Sequence, residues 1–458
     1  MATQTVRKDG SGTHTDIQSA IYDASAGDVI DIEAGTFSEN IDLYKGVTLQ
    51  GAGREVSIIQ GALETAVVRS FTCALGSTTL TMAAGTAGLK KGRLITGTGI
   101  PANARIASVS ANSITISAPT TSARATATNA TMPTVESTIR VRGSGGTIKG
   151  LKVIGFDSPA AASEMAAVFY RNTGAGSAAA TNQIIEDCWL VADGEYALLT
   201  DAISNISGLT IRNNKMTGKT FVGDNPASGN QFSVNNVPRQ LVTVQGQNLN
   251  VSFTGNTLEG TTGGFTTAGV ASFNTVATVD PVGAVVENNT VKCSSGYGYG
   301  LRVRGANAVV QGNKIYAYGS WSSAGYLISG AGAVSSNNST VSLPIVSLTQ
   351  TAGQSPSAQM SKDLILDLPK VQANPAFAVV ADWHSVTYVF KRTTSSTRLV
   401  ACFVDPAATR KMKLKPGMAS GQSFELHRII VAKGESRELL VVKRDEIPDA
   451  GSFDFTLI

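Results

Sequence analysis

Five carboxylates crowd one short run of the chain: Glu186, Asp187, Asp193, Glu195 and Asp201. Paired carboxylates are what hydrolysis of a glycosidic bond requires, one protonated and one charged, at a separation of about 5–10 Å. Trp189 and Tyr196 stand in the same run and offer flat faces on which a sugar could stack. A plainer use of these residues stays open. Asp187 suits a turn, Asp193-Gly194 is a turn dipeptide, and Asp201 suits a loop cap. A second stretch, Gly296-Tyr297-Gly298-Tyr299-Gly300-Leu301-Arg302-Val303-Arg304, carries binding chemistry rather than catalysis. If extended, Tyr297, Tyr299, Leu301 and Val303 share one face, and Arg302 and Arg304 the other. With Trp321 downstream, the tyrosines and arginines predict a surface for a glycan or an acidic polysaccharide. A glycine-permitted turn leading into a half-buried strand is the alternative.

Other chemistries find little support. His14, His384 and His427 are far apart, and none has a Ser/Asp or Cys neighbour arranged for nucleophilic attack. Neither a phosphate-binding GxxxxGK[ST] loop nor a strand-GxGxxG-helix context occurs, so no nucleotide and no other cofactor is expected. Cys73, Cys188, Cys293 and Cys402 are scattered, which predicts neither a disulfide framework nor a zinc site, and no other metal is expected.

The elements that position these residues show up as a recurring rung. Thr147–Val153, Ile184–Leu190, Thr210–Met216, Ser252–Leu258, Val285–Val291 and Val309–Ile315 align. Each has an apolar second position, a polar third, Gly, Asn or Asp fourth, usually Asn fifth, and an apolar seventh. The fifth positions recur at intervals of 24 to 42 residues, which is the arithmetic of a solenoid with a fixed rung and loops of variable length. Gly or Asn at the fourth position suits the left-handed backbone of a turn between strands. Asn214, Asn256, Asn289 and Asn313 at the fifth predict an inward ladder of amides bonded from coil to coil, with Cys188 as a buried thiol in the same place. A leucine-rich repeat needs a near-constant, leucine-dense period, and a propeller needs four evenly spaced strands per blade. A β-sandwich remains the competing fold. The pattern predicts an all-β, right-handed parallel β-helix.

The first sixty residues add a resemblance. Asp9-Gly10-Ser11-Gly12 leads to a capping-box pattern at Thr15-Asp16-Ile17-Gln18. Ile17, Ala20, Ile21 and Ala24 then mark one helical face, and Gly27 is expected to stop the helix. Asp28–Ile32, Lys45–Gly53 and Ser57–Gly61 follow as strand-like rungs. This order resembles the start of the pectin methylesterase and pectate lyase-like superfamily of right-handed β-helices, strongly over 9–61 and weakly on to about residue 317. The resemblance implies that the helix caps the open end of the solenoid. The superfamily's catalytic signatures, a paired-Asp rung or a Gly-His-Gly, are not found where the rungs would carry them. The resemblance therefore implies a fold and leaves activity open, leaning against an enzyme.

Between residues 63 and 134 the rungs give way to short alternating strands, read as a small inserted β module. Its segment Gly88–Ser117 resembles a module that recurs in phage and giant-virus structural proteins. The expected organisation is a cap and first rungs over 1–62, the module over 63–134, the β-helix over 135–335, a Ser/Gly/Thr-rich linker over 336–361, and a C-terminal β domain, sandwich-like, over 362–458.

Charged residues are only 15% of the 458, while Gly numbers 47, so the chain leans on backbone pairing and small side chains. The net charge of +4 gives no case for a nucleic-acid partner. No apolar run suits a membrane span, and the N-terminus has no signal-peptide pattern. Taken together, the expectation is a virion surface protein, tailspike- or tail-fibre-like, working by adhesion to host-surface polysaccharide or by assembly with other virion proteins. The resemblance implies a homotrimer. The alternatives are a polysaccharide depolymerase on the same scaffold and a capsid decoration or baseplate protein with no ligand.

Overall fold

The computed structural model describes residues 1–343 except 157–165, 172–179, 193–195, 201–205, 219–240, 246–249, 262–274, 295–298 and 319–324; beyond 343 it describes the backbone of six strands. Three long parallel sheets form the faces of a solenoid: sheet A with ten strands, sheet B with nine and sheet C with eight. The chain visits them in a fixed order. Val29–Ile32 lies in A, Gly35–Phe37 in B and Ile41–Leu43 in C, and Thr48–Gly51 then returns to A beside Val29–Ile32. Ile148, Ile185 and Ile211 show the register, each directly beside the next. This is a parallel β-helix.

The rung of the sequence is the A–B corner. Its second residues (Ile148, Ile185, Ile211, Phe253, Val286, Val310) and seventh residues (Val153, Leu190, Met216, Leu258, Val291, Ile315) all lie in the solenoid's one continuous core. Its fourth residues, Gly150, Asp187, Asn213, Gly255, Asn288 and Gly312, have φ between +52° and +65°, a conformation costly for side chains other than Asn or Asp. A second left-handed column, absent from the rung alignment, lies two residues before each A strand from Thr147–Lys149 onward: Gly145, Asn182, Gly208, Asn250, Gly283, Asn307 and Gly332. Within both columns an Asn often overlies a Gly. A Cβ on Gly255 would come within 2.7 Å of Asn213 Oδ1, and one on Gly312 within 2.4 Å of Asn288 Oδ1.

The fifth residues carry the amide ladder. Asn214, Asn256 and Asn289 each donate Nδ2–H to the Oδ1 of the next asparagine, at 3.1, 3.0 and 2.9 Å, and the series ends with Asn313 donating to Asn338 at 2.9 Å. The same Oδ1 atoms accept the backbone N–H of the preceding residue in the stack, and the second Nδ2 proton goes to a carbonyl such as Ile211 O. Each buried amide is thus satisfied along the axis. One further coil follows the last aligned rung, running through Leu343 and past the boundary read at 335. Ser335 and Thr340 stand beside Val310 and Ile315 there, which is why the apolar pattern fades.

The cap helix spans Ile17–Asp23 and buries Ile17, Ala20 and Ile21 against the first coil. Two details differ from the sequence reading. Asp16 is the N-cap and accepts from Ser19 N at 2.7 Å, whereas Gln18 turns inward to exchange hydrogen bonds with the backbone of Asp42. The helix also ends at Asp23, before Gly27, whose φ of +88° serves the turn into Val29–Ile32.

The inserted segment forms a six-stranded antiparallel sheet between Val67 and Met132 with its own core around Phe71, Leu80, Ile106 and Ile114. It enters the chain between a B strand, Ser57–Gln60, and a C strand, Ser137–Val141. Arg93, 2% exposed, fastens it with paired bonds to Glu64 at 3.0 and 2.8 Å. Lys91 reaches Asp23 of the cap helix and Arg105 reaches Asp42 of sheet C. In the C-terminal region three antiparallel pairs are described: Thr387–Val389 with Val400–Cys402, Met412–Leu414 with Phe455–Leu457, and the hairpin Phe424–Ala432 with Glu435–Val442. How these pairs pack lies outside the described residues. Among the described residues no helix is long and apolar enough to cross a membrane.

Candidate functional site

Sheet C differs from the other two because its strands bend. Ala167 and Val168 are consecutive yet both lie in the solenoid core, as do Ala197 and Leu198, Leu241 and Val242, and Val276 and Ala277. The carbonyl of Leu241 accepts from both Ala197 N and Leu198 N, and that of Gly325 from both Gly300 N and Leu301 N. Two residues facing inward in succession make a bulge, and they turn the residues on either side of them outward. Tyr196 and Leu199 accordingly form an apolar cluster with Ala166 and Phe169 outside the main core.

The same geometry holds at Tyr299–Val303. A Cβ on Gly300 would meet Ile315 of the core at 2.9 Å, so this position faces in beside Leu301. Tyr299 therefore comes out on the side of Arg302. An unbroken strand would have put Tyr299 with Leu301 and Val303, and the glycine is the signal that corrects this.

Register then defines one outward column along sheet C: Asp42, Arg140, Phe169, Leu199, Thr243, Thr278, Arg302 and Leu327. At one end Asp42 is fully buried and accepts from Arg105 at 2.8 Å, Arg140 at 3.3 Å and Arg142 Nε at 2.9 Å. Burial opposes its ionisation, but the three guanidinium groups outweigh burial and hold the carboxyl far below the usual range. Arg105 also stacks on the Tyr44 ring, 3.2 Å from its centroid. Glu136 is engaged by Arg140 at 2.8 Å and Arg171 at 3.3 Å. Asp42 thus ties Arg105 of the inserted module to Arg140 and Arg142 of the solenoid.

At the other end the balance reverses. Thr278 Oγ1, Arg302 Nε and Asp280 Oδ1 are buried atoms with no hydrogen-bond partner among the described residues. Asp280 Oδ2 pairs with Arg304 Nε at 3.1 Å, whereas Arg302 has no carboxylate of its own. Burial, and next Arg304, push the Arg302 guanidinium down, and Asp280 offsets this in part. Thr278 is fully buried, so the partly exposed groups of this face are the Arg302 guanidinium and Tyr299, a cation and an aromatic ring of the kind that suits a ligand rich in hydroxyl or anionic oxygen.

The remaining sequence candidates that are described stand apart from one another. Glu186 faces outward on sheet A and bonds Arg212 Nε at 2.8 Å. Asp187 is an exposed turn residue at φ +52°. Trp189 is on sheet B, and Tyr196 is buried on the outer side of sheet C, so neither stacks beside Glu186. Asp193, Glu195, Asp201, Tyr297 and Trp321 lie outside the described residues. Asp42 and Asp280 escaped the sequence reading because their arginine partners are distant in the chain, and Thr278 because only sheet register sets it beside Arg302. Among the described residues no three His, Cys, Asp or Glu side chains gather as metal ligands.

No protein-family model matches the sequence, and no curated protein matches it. Solved structures similar to it include a pectin methylesterase from carrot, 12% identical, covering 74% of this chain and 82% of that one with a TM-score of 0.38. A rice weevil pectin methyl esterase is 11% identical over 74% and 89%, with a TM-score of 0.37. The Dettilon tailspike protein is 9% identical over 94% and 88%, with a TM-score of 0.28. The β-helix assignment rests on the sheet register of this chain itself.

Proposed function

We propose that this chain is an adhesion protein of the virion surface, tailspike- or tail-fibre-like, which presents a rigid β-helix to host-surface polysaccharide. The observation that carries the reading is the outer face of sheet C, where the half-buried Arg302 has no ion pair among the described residues and shares its strand with the outward Tyr299. The amide ladder supports it by stiffening the rod on which this face is mounted. Four carboxylates of the outer faces, Asp42, Glu136, Glu186 and Asp280, are each tied to arginine and Glu287 to Gln311, which favours binding over a depolymerase. Assembly as a homotrimer and with other virion proteins belongs to the same proposal. The test is retention of capsular and O-antigen polysaccharides on the immobilised protein, with chain length followed in parallel. Retention without shortening is expected. Shortening would make the chain a depolymerase, and no retention of any polysaccharide would leave an architectural role.

A further inference from the structure

Trp189 stands on the outer face of sheet B with a lysine on the coil to either side. Lys152 Nζ lies 3.7 Å from the centroid of its ring and Lys215 Nζ 4.2 Å. The register sets the three in one column. Thr217 Oγ1 accepts the indole N–H at 2.9 Å and fixes the ring between the two ammonium groups. A third cation is close by, because Arg54 Nη1 donates to Asn213 O, two residues from Lys215, at 3.3 Å.

The charge here is not balanced as it is elsewhere on the solenoid. Arg7 meets Asp31, Arg212 meets Glu186 and Arg304 meets Asp280, acid and base on neighbouring coils. Neither Lys152 nor Lys215 has an ion pair within 4.0 Å among the described residues. Burial pushes the Lys152 ammonium down, Glu55 partly restores it, and Lys215 adds repulsion. Cation–π contact on both faces of one indole favours cations in this place, yet it neutralises neither. Ile154 and Val191, both half-buried, flank the pair along their strands and give an apolar floor.

We propose that Lys152, Trp189 and Lys215 form an anion-binding subsite for an acidic glycan lying along the solenoid axis. Lys152 and Lys215 stand two strand spacings apart along the backbone, about 9–10 Å, with the Trp189 ring between their ammonium groups, an arrangement that suits anionic groups repeated along a chain. Carboxylate-bearing and phosphate-bearing glycans share the chemistry that the ammonium pair recognises. This subsite is on a different sheet from the Arg302 face, so it stands or falls separately.

The test uses the full-length protein and four probes of similar length: polygalacturonate, a poly(glycerol phosphate) chain, neutral dextran and single-stranded DNA. At low salt, binding of polygalacturonate, of the phosphate chain or of both is expected, which assigns the oxyanion source. Lys152→Met with Lys215→Met should weaken it by about tenfold or more, while Lys152→Arg with Lys215→Arg retains it. Trp189→Phe should remove the accompanying change in tryptophan fluorescence. Dextran binding as tightly, DNA binding as tightly as the glycans, or unchanged binding by the double Met variant would overturn the assignment. Arg302→Ala should leave this binding untouched. A parallel loss there would place the contact on sheet C instead.

Discussion

The Nδ2–H of Asn256 donates to Oδ1 of Asn289 at 3.0 Å, and that same oxygen accepts the backbone N–H of Asn256 at 2.9 Å. The Asn289 side chain therefore closes the turn of the coil before it, returns one amide proton to Phe253 O and passes the other on to Asn313 Oδ1. Asn256→Leu would strip the acceptor from Asn214 N and Nδ2 and the donor from Ile211 O. A loss of roughly 1–3 kcal/mol in unfolding free energy follows from stranding such buried groups. Chemical denaturation checks it, and an unchanged midpoint would mean the ladder adds nothing to stability.

Asn288 and Gly312 occupy successive left-handed positions, and the asparagine side chain fills the space above the glycine. Gly312→Asn should destabilise through this collision, since the added Cβ falls 2.4 Å from Asn288 Oδ1. Combining it with Asn288→Gly removes the Oδ1 that the new Cβ would meet. The double variant should recover most of the lost melting temperature, a coupling that independent sites do not show.

Arg93 is nearly inaccessible and is held by Glu64 and by Pro133 O at 2.9 Å. Glu64→Ala leaves the guanidinium buried without its carboxylate, at a cost of about 3–5 kcal/mol. The effect should be local. Limited proteolysis should open the segment 63–134 while the Asn-bearing coils stay protected, as read by mass spectrometry of the fragments.

Two carboxyls shape the pH dependence in opposite senses. Burial pushes Glu39 from 4.5 up to about 7, although it accepts from Ile17 N and Gln18 N at the start of the cap helix. Its folded form holds the proton more tightly than the unfolded chain. Its contribution to stability is therefore fully present below about pH 4.5 and is lost as pH rises through about 7. Asp42 is shifted the other way, so its contribution is present above its ordinary 3.8 and is lost as pH falls. Glu39→Gln should flatten the decline in urea midpoint between about pH 5 and pH 8 and leave the acid limb in place. An unchanged slope would mean that Glu39 titrates normally.

The A–B corner was legible because three of its constraints are local. An inward apolar residue, a left-handed turn and an inward amide fall within seven consecutive residues, as in Ser252–Leu258. The C–A corner was missed because its Gly145, Asn182 and Gly208 stand five residues before Gly150, Asp187 and Asn213, just outside the seven residues that were aligned. The site was half legible. Tyr299 and Arg302 could be chosen by residue type, but their common side depends on the Gly300 bulge, and an unpaired Thr278 hydroxyl is a property of the neighbouring coil. Glu186 and Asp187 misled because closeness along the chain is not closeness around the solenoid, where three sheets divide one short run.

The most direct measurement is the affinity of the retained polysaccharide for the native protein and for Arg302→Ala, with melting temperature recorded on both. Removing a half-buried charged donor predicts at least about tenfold weaker binding at an unchanged melting temperature. Equal affinity in the two proteins would contradict adhesion through the outer face of sheet C.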